Sequence, residues 1–183
     1  MKYNKRTGRT ELTNKDFQLA CFYQDYVILD NSCLIHKSYI DFTDSLPASH
    51  LFSIDDQPIC FNTETKKFNG YTPDKEEIKQ LLDRASTAGQ AVRKTKLYCK
   101  VDKYIECQLF TNLENKHTQW LDIKYSSLFK YSNGNYSQHS RDSYIMLHSA
   151  GQLIGLIMPM KSRTAIGELE TLFVDLEPAK EIA

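Results

Sequence analysis

The residue types best suited to chemistry in this chain are two carboxylates and a lysine. They stand in Asp122-Ile123-Lys124 and in Pro73-Asp74, 48 positions earlier, although Asp-x-Lys triplets are common in a chain that is 25% charged. Other constellations are thin. Cys21, Cys33, Cys60, Cys99 and Cys107 are odd in number and none stand two or three apart, so neither a zinc finger nor a redox Cys-x-x-Cys is present. Cys99 and Cys107 stand in apolar strand-like contexts and read as small buried hydrophobes. His36, His50, His117, His139 and His148 form no His-Glu-x-x-His and no pair four apart. Cys33 and His36 are near each other only by local coincidence. The seven glycines are scattered singly, without a phosphate-cradling loop or a nucleophile elbow, which argues against ATPase, dinucleotide and serine-hydrolase chemistry. No cofactor is implied.

The elements that must position these residues can be read from periodicity. Thr72–Ala88 reads as a helix: Thr72 or Asp74 can cap it, Pro73 suits its first turn, and Ile78, Leu81, Leu82, Ala85 and Ala88 recur at helical spacing before Gly89. Two strands are expected at Lys94–Asp102 and Lys103–Phe110, where Leu97, Cys99 and Val101 alternate with charged and aromatic residues. A second helix fits Gln119–Ser132, with Leu121, Tyr125, Leu128 and Phe129 on one face and Asn133-Gly134-Asn135 as its stop. Strands at Arg141–His148 and Gln152–Lys161 would follow, joined by a tight turn at Ser149-Ala150-Gly151. Upstream, Phe17–Tyr26 and Val27–Tyr39 read as a hairpin with turn formers at Asp30-Asn31-Ser32, and Asp41–Asn69 as an irregular connector with strand-like pieces at Leu51–Ile54 and Pro58–Asn62. The fold expected is α+β, with two helices packed on one face of a mostly antiparallel sheet and a partial β-rich unit before them.

With 183 residues, one domain or one and a fraction is expected. An apolar content of 41% and a charged content of 25% place the chain among globular proteins rather than disordered ones. The longest apolar stretch, Leu153–Met160, is far short of the roughly 20 residues that cross a bilayer. Met1–Asp16 is polar and basic, without the apolar segment of a signal peptide, so the expected address is cytoplasmic. Lys+Arg 23 balances Asp+Glu 23, which removes an overall basic field as a route to nucleic acid. The charge is unevenly spread, with a basic head at 1–16 and an acidic tail at 162–183, both expected to be solvated termini.

The closing ribbon Gly155-Leu156-Ile157-Met158-Pro159-Met160-Lys161 resembles the end of the bacterial replicative sliding clamp (beta clamp), the ring that tethers polymerase to DNA. The clamp's last domain runs helix, strand pair, helix, strand pair into a Met-Pro-Met-basic end, similar to the order from about Tyr71 to Lys161. Leu29-Asp30-Asn31-Ser32-Cys33-Leu34 occupies the place of the clamp's Thr-Asp-Gly-His-Arg-Leu turn, matching it at Asp30 and Leu34 but lacking the Gly, His and Arg. Phe68–Asp74 lies where the family carries its inter-domain linker.

The resemblance implies a clamp-like unit at 71–161 and a partial unit with connector at 17–70, flanked by the basic arm and the acidic tail. It also implies a groove for short linear peptides of replication proteins, lined here by Leu34, Leu156, Met158, Pro159 and Met160. DNA contact would fall to Arg93, Lys94 and Lys96 and to Lys124 and Lys130, because the first helix turns Glu76, Lys79, Gln80 and Asp83 to solvent and so presents net negative charge. A chain of this length holds one clamp unit and part of another, so a ring would need several subunits; otherwise the protein is a reduced relative of the phage or plasmid type. Leu169–Phe173 ends in Leu-Phe like clamp-binding peptides, although Leu169, Leu172, Phe173 and Leu176 also fall at helical spacing.

Three functions are therefore carried forward. The first is a non-enzymatic processivity factor on DNA. The second is a clamp-fold regulator that binds peptides or a host clamp without encircling DNA. The third is a Mg²⁺-dependent nuclease resembling the PD-(D/E)xK enzymes through Asp74, Asp122 and Lys124, although Asp122 falls on a predicted helix where that chemistry wants a strand edge.

Overall fold

A computed structural model describes residues 2–13, 15–42, 57–62, 64, 67–68, 73–101, 103–130, 132–140 and 143–160. The acidic tail at 162–183, with Leu169–Phe173, and the strand-like piece at Leu51–Ile54 lie outside them. The strands are β1 (Lys2–Asn4), β2 (Arg9–Leu12), β3 (Leu19–Tyr23), β4 (Tyr26–Leu29), β5 (Cys33–His36), β6 (Ile40–Phe42), β7 (Ile59–Asn62) and β8 (Lys67–Phe68). Then come helix α1 (Lys75–Ala85), β9 (Gln90–Lys100), β10 (Glu106–Asn112), β11 (Thr118–Asp122), helix α2 (Ile123–Ser126, prolonged by a 3₁₀ turn to Phe129), β12 (Asn135–Gln138), β13 (Ile145–Ser149) and β14 (Gln152–Ile157). Among the described residues this is a mostly antiparallel sheet with two short helices, an α+β arrangement.

One sheet of eleven strands runs β11-β10-β9-β12-β13-β14-β5-β4-β3-β7-β8, and a second pairs β1 with β2 antiparallel and β2 with β6 in parallel. Turn chemistry sets its hairpins. Asp30 and Asn31 both take positive φ in the three-residue loop between β4 and β5, as do Ala150 and Gly151 in the two-residue loop between β13 and β14, giving the twist that joins antiparallel strands. The expected hairpin upstream is in fact three strands, because Gln24, also at positive φ, makes a second turn between β3 and β4. The basic head forms strands: Lys2–Asn4 and Arg9–Leu12 pair with each other and Leu12 is fully buried in the main core, while the side chains of Lys2, Lys5, Arg6, Arg9 and Lys15 stay exposed. β3 is also tied to β7 by a Cys21–Cys60 disulfide between directly opposed residues, which no spacing in the sequence announces.

α1 forms where periodicity places it, though shorter than Thr72–Ala88. Asp74 caps it by accepting the Glu76 N–H at 2.9 Å, and Ile78 and Ala85 are buried while Glu76, Lys79, Gln80 and Asp83 face solvent. Its last carbonyls are taken up by imidazoles: His139 Nε2 lies 3.0 Å from Arg84 O and His148 Nε2 lies 2.8 Å from Ala85 O. Removing the N-cap in Asp74→Ala should cost about 1 kcal/mol, read as a lowered urea midpoint at unchanged slope.

Two expectations are corrected. The second helix does not span Gln119–Ser132; Thr118–Asp122 is strand β11, and helix begins only at Ile123. The order is thus helix, three strands, helix, three strands, with β12 as the strand the polar run Asn135–Gln138 concealed.

The helices also do not share a face. Leu81, Leu82 and Ala85 of α1 pack on Leu34, Met146, Leu153 and Leu156. Tyr125, Leu128 and Phe129 pack instead with Cys33, Ile35, Ile145, Leu147 and Ile157. Register partners Leu34, Leu156 and Met146 point to one side of the sheet; their neighbours Cys33, Ile157 and Ile145 point to the other. α1 therefore covers one side and α2 the opposite one. The small sheet lies over α2, joining the same core through Leu12 and Ile40, with Thr10 Oγ1 3.4 Å from Leu128 O.

Candidate functional site

Two groupings bring together some of the residues singled out by sequence. The first is a polar hub at the β4–β5 turn. Asp30 Oδ1 accepts the backbone N–H groups of Gln18 at 2.8 Å and Leu19 at 2.9 Å; Oδ2 accepts Lys124 Nζ at 2.7 Å and the Tyr125 hydroxyl at 3.1 Å. Four donors fill the lone-pair positions of a carboxylate. Burial works to raise the Asp30 pKa, but the Lys124 hydrogen bond, the two backbone N–H groups and the Lys124 charge outweigh it and hold it below the usual value. Asp122 stands nearby with its pKa raised, by burial first and also by the Asp30 charge, while its Oδ1 caps the Lys124 N–H at 2.8 Å. Burial and the adjacent Asp30 charge push the Tyr125 hydroxyl well above its ordinary range.

The hub thus brings Asp122 and Lys124 together with Asp30, a carboxylate that sequence reasoning placed only in a turn. It does not bring in Asp74, which caps α1 on the opposite side of the sheet from α2. Asp30 and Lys124 are paired with one another, so the hub fastens the turn to α2.

The second grouping is the closing ribbon. After β14 the chain continues with Met158 N–H donating to Ser32 O at 2.8 Å and Met160 N–H donating to Trp120 O at 2.9 Å, so the ribbon runs from the β4–β5 turn to the end strand β11. Met158 is 44% exposed, whereas Pro159 and Met160 are half-buried. Met160 packs on a cluster of Cys107, Leu109 and Trp120, flanked by Cys99, Val101 and Ile105. Trp120 Nε1 in that cluster is buried without an acceptor among the described residues. Leu34 and Leu156, the other two expected groove residues, are 2% exposed beneath α1 and line no open surface. Of the five, only Met158, Pro159 and Met160 stand together at an accessible place.

The basic residues are dispersed. Lys124 belongs to the hub, although it also lies 5.2 Å over the Tyr125 ring. Arg93 and Lys94 are neighbours on β9 and so project to opposite sides of it. Lys94 is half-buried and its pKa is lowered, by burial and then by the charge of Lys130, which brings those two together. Arg93 and Lys96 are exposed. The five form no single stripe such as a phosphate backbone would follow.

No helix among the described residues is long and apolar enough to cross a membrane. No protein-family model matches the chain, and comparison with curated proteins and with solved structures likewise finds no match.

Proposed function

We propose that the protein is a non-enzymatic binding platform of sliding-clamp type that docks a short peptide segment of a replication protein or host clamp without closing around DNA. The observation that carries this reading is the Met158-Pro159-Met160 ribbon, held at both ends by backbone hydrogen bonds with Met158 presented to solvent. Methionine adapts its unbranched thioether to different partner side chains, which suits a surface that takes several related peptides. The processivity version is less favoured, because helices on opposite sides of the sheet cannot both line one channel and the cations form no shared track. The nuclease version is less favoured, because Asp74 caps α1 on the side of the sheet opposite α2 and the Lys124 ammonium is paired with Asp30.

Fluorescence anisotropy with a labelled peptide ending in Leu-Phe tests the proposal. Met158→Asp should weaken binding about tenfold, about 1.4 kcal/mol, while the melting midpoint stays unchanged because the side chain is exposed. Neutralising Arg93, Lys94 and Lys96 together should leave peptide affinity intact. Wild-type protein that ignores the peptide yet binds duplex DNA with a steep salt dependence, lost in that triple variant, would return the processivity reading. Mg²⁺-dependent cleavage abolished by Asp122→Asn would return the nuclease.

A further inference from the structure

The cysteines hold a second relationship like that of Cys21 and Cys60. Cys99 on β9 and Cys107 on β10 are direct register partners across an antiparallel pair, so both side chains leave the same side of the sheet. Their thiols are in hydrogen-bond contact. Cys107 is fully buried, whereas Cys99 is half-exposed at the edge of the cluster under Met160. Directly opposed cysteines on antiparallel strands have Cα atoms within or close to the span a disulfide bridges. The chain itself carries such a bond between opposed residues on β3 and β7. The remaining free thiol, Cys33, is buried on the side of the sheet facing α2 and belongs to a different cluster.

We infer that Cys99 and Cys107 form a thiol-modification site that closes to a second cross-strand disulfide by exchange with a low-molecular-weight disulfide of the glutathione class. The division of roles follows from exposure. Cys99 loses its proton to solvent and its thiolate attacks one sulfur of the reagent, forming a mixed disulfide and releasing one thiolate of the reagent. Cys107 then gives up its proton, and its sulfur attacks the Cys99 sulfur and expels the second thiolate. Two protein thiols are oxidised to one disulfide, and one reagent disulfide is reduced to two thiols. Burial raises the Cys99 pKa and the Cys107 hydrogen bond opposes this, so the first step should quicken as pH rises above neutrality. The site stands independently of any peptide docking at the ribbon.

The test uses the full chain, folded, incubated with oxidised glutathione at pH 7 and pH 8.5. Remaining thiols are blocked with a maleimide, and unreduced digests are read by mass spectrometry. The expected product is a peptide pair joined through Cys99 and Cys107, formed faster at the higher pH, with Cys33 blocked only after unfolding. Cys99→Ser should slow consumption of the reagent at least tenfold. Cys107→Ser should leave Cys99 as a stable glutathione adduct. If Cys107→Ser does not fold, the pairing observed in the wild-type digest decides alone. A lasting adduct on wild-type Cys99 with Cys107 still free, or no change in thiol content, overturns the inference.

Discussion

Gly155→Val should be the most damaging single substitution in the sheet, costing about 3 kcal/mol or more and lowering the urea midpoint accordingly. Gly155 lies in β14 between Leu147 on β13 and Ile35 on β5, on the side of the sheet that faces α2. A Cβ at this position would stand 2.1 Å from Cζ and 2.2 Å from Cε1 of Phe129, well inside contact distance. The clash begins at Cβ, so no rotamer of the new side chain relieves it. Phe129 is itself 2% exposed, pressed between the sheet and Leu128's neighbours in the main core, so its ring has no empty volume to enter. Gly155→Ala should show a smaller loss of the same origin. Shortening the opposing ring in Phe129→Leu should recover part of the loss in the double variant, a coupling of about 1–2 kcal/mol that independent sites would not show. Equal losses in Gly155→Val with and without Phe129→Leu would mean that the ring is not what excludes a side chain there.

The same close approach shows what the sequence could and could not disclose. α1 was legible because Ile78, Leu81, Leu82 and Ala85 mark a single buried stripe and Asp74 is a standard cap. β11 was hidden because Leu121, Tyr125, Leu128 and Phe129 imitate a helical stripe, although Trp120 and Leu121 point into two different clusters, as adjacent strand residues do. The placement of helices on both sides did leave a signal. Ile145-Met146-Leu147 and Leu153–Ile157 are apolar without alternation, and strands of that kind have both faces covered. β12 left less, since Ser137 and Gln138 are buried polar residues satisfied by other segments, with Ser137 Oγ accepting from Gly89 N–H at 3.2 Å and Gln138 Nε2 reaching Gln119 Oε1 at 2.7 Å and, nearer in sequence, Ser143 O at 2.8 Å. Cys99 and Cys107 are equidistant from Lys103, so a hairpin centred there already opposes them. Cys21 and Cys60 have no such local relation, because a long connection separates their strands. The hub was half visible: Asp30 was expected in a turn, but its union with Lys124 and Tyr125 depends on where α2 docks.

Removing that carboxylate is the second large effect. Asp30→Ala should cost about 2–4 kcal/mol, since it removes at once the shared acceptor of the Gln18 and Leu19 N–H groups, the Tyr125 hydroxyl and the Lys124 ammonium, of which only the Gln18 bond is exposed. The upper end is tempered because Lys124 is 37% exposed and recovers part of its loss by hydration. Asp30→Asn separates charge from geometry. The amide keeps one acceptor oxygen and tolerates the positive φ of this position, so it should lose less than alanine. Its effect should also depend on pH. The folded-state pKa of Asp30 lies below its unfolded value, so the ionised group contributes its full stabilisation above the unfolded pKa of about 3.9. That contribution falls away as pH drops below the unfolded value and through the folded one. Wild type and Asp30→Asn should therefore differ most at neutral pH and converge as the solution is acidified below about pH 4, followed by urea midpoints across the series. Parallel curves over that whole range would show that Asp30 contributes through the shape of the turn alone and that its pairing with Lys124 adds nothing to the fold.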